Sequence, residues 1–294
     1  MQQQVKHVIK LIGYASGIAA NNVDCALGPW YMHYHPELFH HMGLRVEWTK
    51  MIQAASLDRG MDVMSLIYEK ANELGEAVKS SSQAKDMFCV MGGDHSSAIG
   101  TWSAVAHVHR KQGDLGLIWI DAHMDSHTPT TSETKNIHGM PLAHLLGEGD
   151  PKLIKLFDNE PALKPENVCL IGVRSYESGE EETLARLGVK IISMDEVNKC
   201  GIHKALREAH AHVTQSTCGF GISLDLDGID PNDAPGVGCP ESNGISGQQL
   251  VDALRDVISG QSLLGLEIVE YNPLRDLHHK TAKLAVELLH AIYG

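Results

Sequence analysis

Short apolar runs rich in β-branched residues, at 7–16, 87–91, 115–121, 167–173, 189–193, 219–225 and 263–270, alternate with stretches whose apolar residues recur three and four apart. Those stretches lie at 61–80, 96–111, 180–187, 203–214, 247–259 and 279–293. A run apolar on both sides is buried on both faces, and strands joined through helices run parallel, so the pattern predicts βαβ units around a parallel sheet. Ligands of such sheets sit beyond the carboxyl ends of the strands.

With 294 residues the chain is long enough for one large α/β domain or two smaller ones. Neither a Pro/Gly/Ser linker nor a charge block divides it, and no repeat is evident, which predicts one domain over 1–294. No apolar stretch approaches the roughly 20 residues that span a bilayer, and the start lacks the apolar core of a signal peptide, so a cytoplasmic, soluble protein is expected. Six scattered cysteines form no Cys-x-x-Cys pair, and Cys89 and Cys169 fall inside expected buried strands, which argues against a disulfide framework. Acidic residues exceed basic ones by 37 to 24, a formal charge of −13 that disfavours a nucleic-acid backbone and favours cationic ligands.

Three polar segments follow expected strands: Gly92-Gly93-Asp94-His95-Ser96, Asp121-Ala122-His123-Met124-Asp125 and Ser223-Leu224-Asp225-Leu226-Asp227-Gly228-Ile229-Asp230-Pro231. In the second and third, ligand-type residues recur at every second position, which on an extended chain points them to one side. Crowded carboxylates repel one another unless protons or cations intervene. His95, Asp121, His123, Asp125, Asp225 and Asp227 suffice for two ions if Asp121 and Asp225 bridge, and an oxygen-rich shell with minority imidazole and no thiolate suits Mn²⁺ or a similar metal. An isolated Asp-x-His pair is ordinarily a helix cap beside a packed histidine, but three such segments at successive strand ends point to a two-metal hydrolytic site. Asp94 and Asp230 read as turn or supporting residues rather than ligands. The polar segments 128–138 and 231–246 are long enough to be active-site loops.

In their order and content these three segments resemble those of the ureohydrolases, the arginase and agmatinase family, over nearly the whole chain and most closely its arginase branch. The resemblance implies a three-layer αβα fold with a parallel sheet of about eight strands, a binuclear Mn²⁺ centre, and release of urea from a guanidino compound. It implies one ion held by His95, Asp121, Asp125 and Asp225 and the other by His123, Asp121, Asp225 and Asp227. A bridging hydroxide, oriented by Asp125, would attack the guanidinium carbon. His138 matches the proton-shuttling histidine, and Glu270 the carboxylate that meets the guanidinium. A trimer or hexamer is likewise implied.

For the arginase branch the implied reaction is L-arginine to L-ornithine and urea. Around the distal end of the substrate the correspondence thins. His127 stands where that branch has asparagine and Thr134 where it has serine, both near the α-carboxylate. Glu177 and Glu180 match the acidic pair reaching the α-amino group, with Glu177 in place of aspartate, and Cys239 replaces a threonine. The rival readings are an agmatinase, guanidino-acid hydrolase or formimidoylglutamase, a single-zinc deacetylase on a related fold, and a metal-binding scaffold without activity.

Overall fold

The structure, a computed structural model, describes residues 8–20, 23–54 and 62–294. Strands β1 (Val8–Ala15), β2 (Arg45–Gln53), β3 (Phe88–Gly92), β4 (Leu115–Ile120), β5 (Val168–Ile171), β6 (Lys190–Ile192), β7 (Gly219–Asp225) and β8 (Leu263–Val269) form one sheet in the order β2-β1-β3-β8-β7-β4-β5-β6. Every neighbouring pair is parallel. The helices are α1 (Leu27–Tyr34), α2 (Glu37–His41), α3 (Val63–Ala84), α4 (Ser97–His109), α5 (Pro141–Leu145), α6 (Pro151–Ile154), α7 (Ser178–Leu187), α8 (Met194–Cys200), α9 (Ile202–Val213), α10 (Gly247–Val257) and α11 (Lys280–Tyr293). Among the described residues no helix is long and apolar enough to cross a membrane.

The seven apolar runs fall on β1 and β3 to β8, and the six helical stretches on α3, α4, α7, α9, α10 and α11; residues 7 and 61, which began two of these ranges, lie outside the described residues. Strand β2 was not expected from its sequence. Among the described residues it is an edge strand paired only with β1, and Arg45, Glu47, Thr49, Lys50 and Gln53 are exposed while only Ile52 is buried, so it has no continuous apolar run to announce it. Charged residues on such an edge also discourage pairing with another chain.

Alternation along the strands divides the core. Leu11, Cys89, Ile118, Cys169 and Ile222 face the cluster built by α1, α2 and α8 to α11, whereas Tyr14, Val90, Leu117, Leu170 and Val168 face α3, α4, α5 and α7. On the second face β7 and β8 present Gly221 and Gly265 instead of large side chains. A Cβ on Gly221 would lie 2.0 Å from Trp102 Cζ3, and one on Gly265 2.5 Å from Phe88 Cζ. Trp102 and Phe88 are fully buried, so neither ring can swing into solvent to make room. Gly221→Ala is therefore expected to destabilise the fold by about 1–3 kcal/mol through overpacking, read as a lower urea midpoint. An unchanged midpoint would mean that α4 shifts freely over the sheet.

Candidate active site

The carboxyl ends of β3, β8, β7 and β4 are adjacent in the middle of the sheet, and each delivers a polar segment to the same place. After β3 the chain passes so near β1 that a Cβ on Gly93 would sit 2.0 Å from the Ser16 carbonyl oxygen, which only glycine permits. Asp94 accepts hydrogen bonds from Ala19 N (3.1 Å), Ser96 N (3.0 Å) and the Ser96 hydroxyl, tying this turn to the loop after β1. It belongs to neither group of converging ligand atoms, and burial raises its carboxyl to about 6.

Asp121, His123 and Asp125 follow β4 in an irregular segment, with Asp125 in the left-handed region at φ 48°. Asp225 ends β7, while Asp227 sits in a 3-10 turn over Leu226–Gly228 and donates its amide to Asp225 Oδ1 at 2.8 Å. The strand-type alternation expected from the sequence is thus not what aims these groups. Turns just past the strands do so, because a straight strand would carry its last ligand away from the sheet edge.

His95 Nδ1 lies 3.0 Å from Asp125 Oδ2, 3.2 Å from Asp225 Oδ2 and 3.3 Å from Asp121 Oδ2. His123 Nδ1 lies 3.4 Å from the other Asp121 oxygen, Oδ1, and 3.2 Å from Asp227 Oδ2. Ligand atoms of His95, Asp121 and Asp225 all fall within 4.8 Å of one another, and so do those of Asp121, His123 and Asp227, so Asp121 is common to both groups. His95 Nδ1 is buried and, among the described residues, has no hydrogen-bond partner, although three carboxylate oxygens lie 3.0–3.3 Å away. A buried ring nitrogen without a hydrogen-bond partner, set among carboxylate oxygens, is a place a divalent cation would fill, so the residues fit a metal.

The electrostatics agree. Burial and the neighbouring Asp121 charge push the Asp125 carboxyl up to about 7, and burial with Asp227 and Asp121 raises Asp225 well above the usual range. Burial also opposes charge on Asp121, but His123 and His95 outweigh it and hold that carboxyl far below its ordinary value. Cations placed among these groups would relieve the repulsion, and their binding would release protons.

Glu270, just past β8, adopts φ 64° and accepts the His95 amide on Oε1 at 3.0 Å. A non-glycine residue in this region is uncommon and costly, and here both such residues at the site bear carboxylates. His138, in a 3-10 turn over Ile137–Gly139, places Nδ1 3.5 Å from Glu270 Oε1. Burial disfavours its charge, but Glu270 prevails and raises the imidazole to about 9.

At the outer wall, His127 Nε2 is 3.3 Å from Glu177 Oε2 and 3.6 Å from Glu180 Oε2, and Nδ1 is 3.1 Å from Thr131 Oγ1. Glu180 also accepts the Glu177 amide (3.0 Å) and the Ser126 amide (3.3 Å), so it caps α7 while facing the cavity. The cavity, about 220 Å³, is lined by every residue expected at the site except buried Asp121, together with Cys239, Gly139 and, from the expected loop 128–138, Ser132, Glu133 and Asn136. Both loops anticipated from the sequence, 128–138 and 231–246, contribute to its wall.

Several supporting residues went unnoticed in the sequence. Trp119 stacks on His95 at 4.2 Å between ring centroids and donates Nε1 to Asp121 Oδ2 at 2.9 Å. Arg174 donates to the carbonyls of Asp227 (2.7 Å), Glu241 (2.8 Å) and Gly228 (3.1 Å), clasping the turn after β7 to the loop beyond it. Trp119 stands two residues before Asp121 and shares its side of the strand, a spacing signal that could have found it.

At the central strand ends of a parallel sheet, four carboxylates and two imidazoles come together as a candidate metal centre of the kind a metal-dependent hydrolase uses. The Arginase family matches residues 8–294. An arginase of Bacillus caldovelox is 42% identical over 79% of this chain and 76% of its own, and one of Bacillus subtilis (strain 168) is 42% identical over 76% and 74%. The solved structure of the Bacillus caldovelox arginase superposes with a TM-score of 0.89 at 36% identity, covering 98% of each chain. The chain belongs to the arginase family and is a ureohydrolase of the arginase type.

Proposed function

We propose that the protein cleaves the guanidino group of L-arginine to L-ornithine and urea with two Mn²⁺ ions. His95, Asp121, Asp125 and Asp225 would hold one ion, and His123, Asp121, Asp225 and Asp227 the other. The observation that carries this reading is the free, buried His95 Nδ1 among carboxylates at 3.0–3.3 Å, beside a carboxylate and an imidazole that take no part in either ligand group. When bound, such a pair of cations supplies a water acidified towards neutrality and a sink for developing negative charge.

Glu270 receives the guanidinium through a charge-assisted hydrogen bond, strong where solvent is excluded, and is kept ionised by His138 against the opposing effect of burial. Asp125 accepts a hydrogen bond from the attacking water and so aims its lone pair at the planar carbon. His138, protonated at neutral pH and a quarter exposed at the cavity wall, delivers a proton to the departing amine. His127, Thr134, Glu177 and Glu180 read the amino-acid end. The reading extends to a single domain over 1–294, cytoplasmic and assembled as a trimer or hexamer, which light scattering on the purified protein would check.

One observation favours a second substrate. His127 already engages both carboxylates that would meet an α-ammonium, which suits a guanidino compound with a different distal group. Urea release from L-arginine, agmatine, guanidinobutyrate and formimidoylglutamate, with manganese supplied, separates these; hydrolysis confined to one of the last three overturns the choice of arginine. His127→Asn should lower KM for arginine by roughly tenfold, the equivalent of one freed carboxylate contact, with little change in kcat. An unaltered KM would remove His127 from substrate recognition.

A further inference from the structure

Below the ligand cluster lies a fully buried carboxylate that none of these steps uses. Glu267, on β8, accepts four hydrogen bonds: Ser97 Oγ (2.8 Å) and Thr101 Oγ1 (2.8 Å) donate to Oε1, and Trp102 Nε1 (3.0 Å) and Ser223 Oγ (2.8 Å) donate to Oε2. That is the whole acceptor capacity of a carboxylate. Ser223 is also 3.0 Å from His95 Nε2. Because the serine proton is given to Glu267, Ser223 can offer the imidazole only a lone pair. The proton of His95 must then sit on Nε2, which leaves Nδ1 bare towards Asp121, Asp125 and Asp225.

We infer that Glu267 is a positioning residue for the metal centre, setting the tautomer of His95 through Ser223. The inference rests on the proposed metal pair. The Trp102 indole makes the geometry one-sided: an N–H that can only donate faces Oε2, so the oxygen on the Ser223 side must remain an acceptor. Without an acceptor there, the Ser223 hydroxyl is free to turn its proton to His95 Nε2, and the imidazole proton moves to the nitrogen that faces the cation.

The test is Mn²⁺ titration of metal-stripped protein, with the constant belonging to the His95 site identified as the one lost in His95→Asn. Glu267→Met, close in shape but without an acceptor, should weaken that constant by ~10–100-fold and leave the other within experimental spread. Glu267→Gln should restore it, because Trp102 pins the amide oxygen on the Ser223 side while the amide N–H groups meet the Ser97 and Thr101 hydroxyls. A merely structural carboxylate would give equal losses at both sites, or no rescue by glutamine, and either result overturns the inference. Should Glu267→Met fail to fold, Ser223→Ala decides alone, since it removes the same link; an unchanged His95-site constant there is equally fatal. Failure of the unaltered protein to bind two Mn²⁺ would instead sink the metal reading.

Discussion

Replacing Asp121 with asparagine should remove metal and activity together, with kcat/KM falling by at least ~10²–10³-fold, the scale of a lost central electrostatic contact. Its two oxygens face different histidines, Oδ2 towards His95 at 3.3 Å and Oδ1 towards His123 at 3.4 Å, so one residue serves both groups. An amide is neutral and offers only one oxygen, so at least one group loses its charge partner. Atomic absorption on the dialysed variant, compared with the unaltered protein, reads the result. A variant retaining two metals per chain and ordinary turnover would show that Asp121 bridges nothing.

His138→Asn should slow turnover by ~10²–10⁴-fold while metal content stays unchanged, because the ring touches Glu270 and lies in neither ligand group. The pH dependence is the sharper readout. With its protonated form held up to about 9, His138 remains a proton donor through neutral pH and loses that ability as pH rises through this value. Activity of the unaltered protein should therefore decline on the alkaline side near pH 9, and the variant should lack that limb. Stability runs the same way: the raised folded value means the His138–Glu270 pair stabilises fully below the ordinary histidine range and is lost as pH climbs through about 9. Metal loss in the variant would contradict the role assigned here.

The sheet and the converging candidate ligands were legible because both rest on short-range rules. Buried parallel strands are apolar on both faces, and β3, β4, β5, β7 and β8 satisfy this almost residue for residue. The edge strand β2 escaped because half-exposed positions dilute that pattern. Identifying the ligand residues needed only their chemistry; their aim came from backbone turns at Asp125 and Asp227 that no alternation rule contains. The supporting groups were hidden for a different reason. Glu267 and Arg174 act through partners far along the chain, Thr101 and Gly228 among them, and only the assembled sheet brings those together. His127 was noticed as a departure, but its engagement with Glu177 and Glu180 depends on how α7 starts.

The left-handed backbone at Asp125 and Glu270 carries an implication for anyone redesigning this chain. Glycine, or asparagine in place of the aspartate, suits such a backbone better than the acids that occupy it, by a backbone contribution on the order of 1 kcal/mol each, which at 270 is set against the lost contacts to His138 and the His95 amide. A search that ranks sequences by backbone fit alone will tend to discard both acids, and with them the carboxylates proposed for the site. Thermostabilising libraries should hold these two positions fixed.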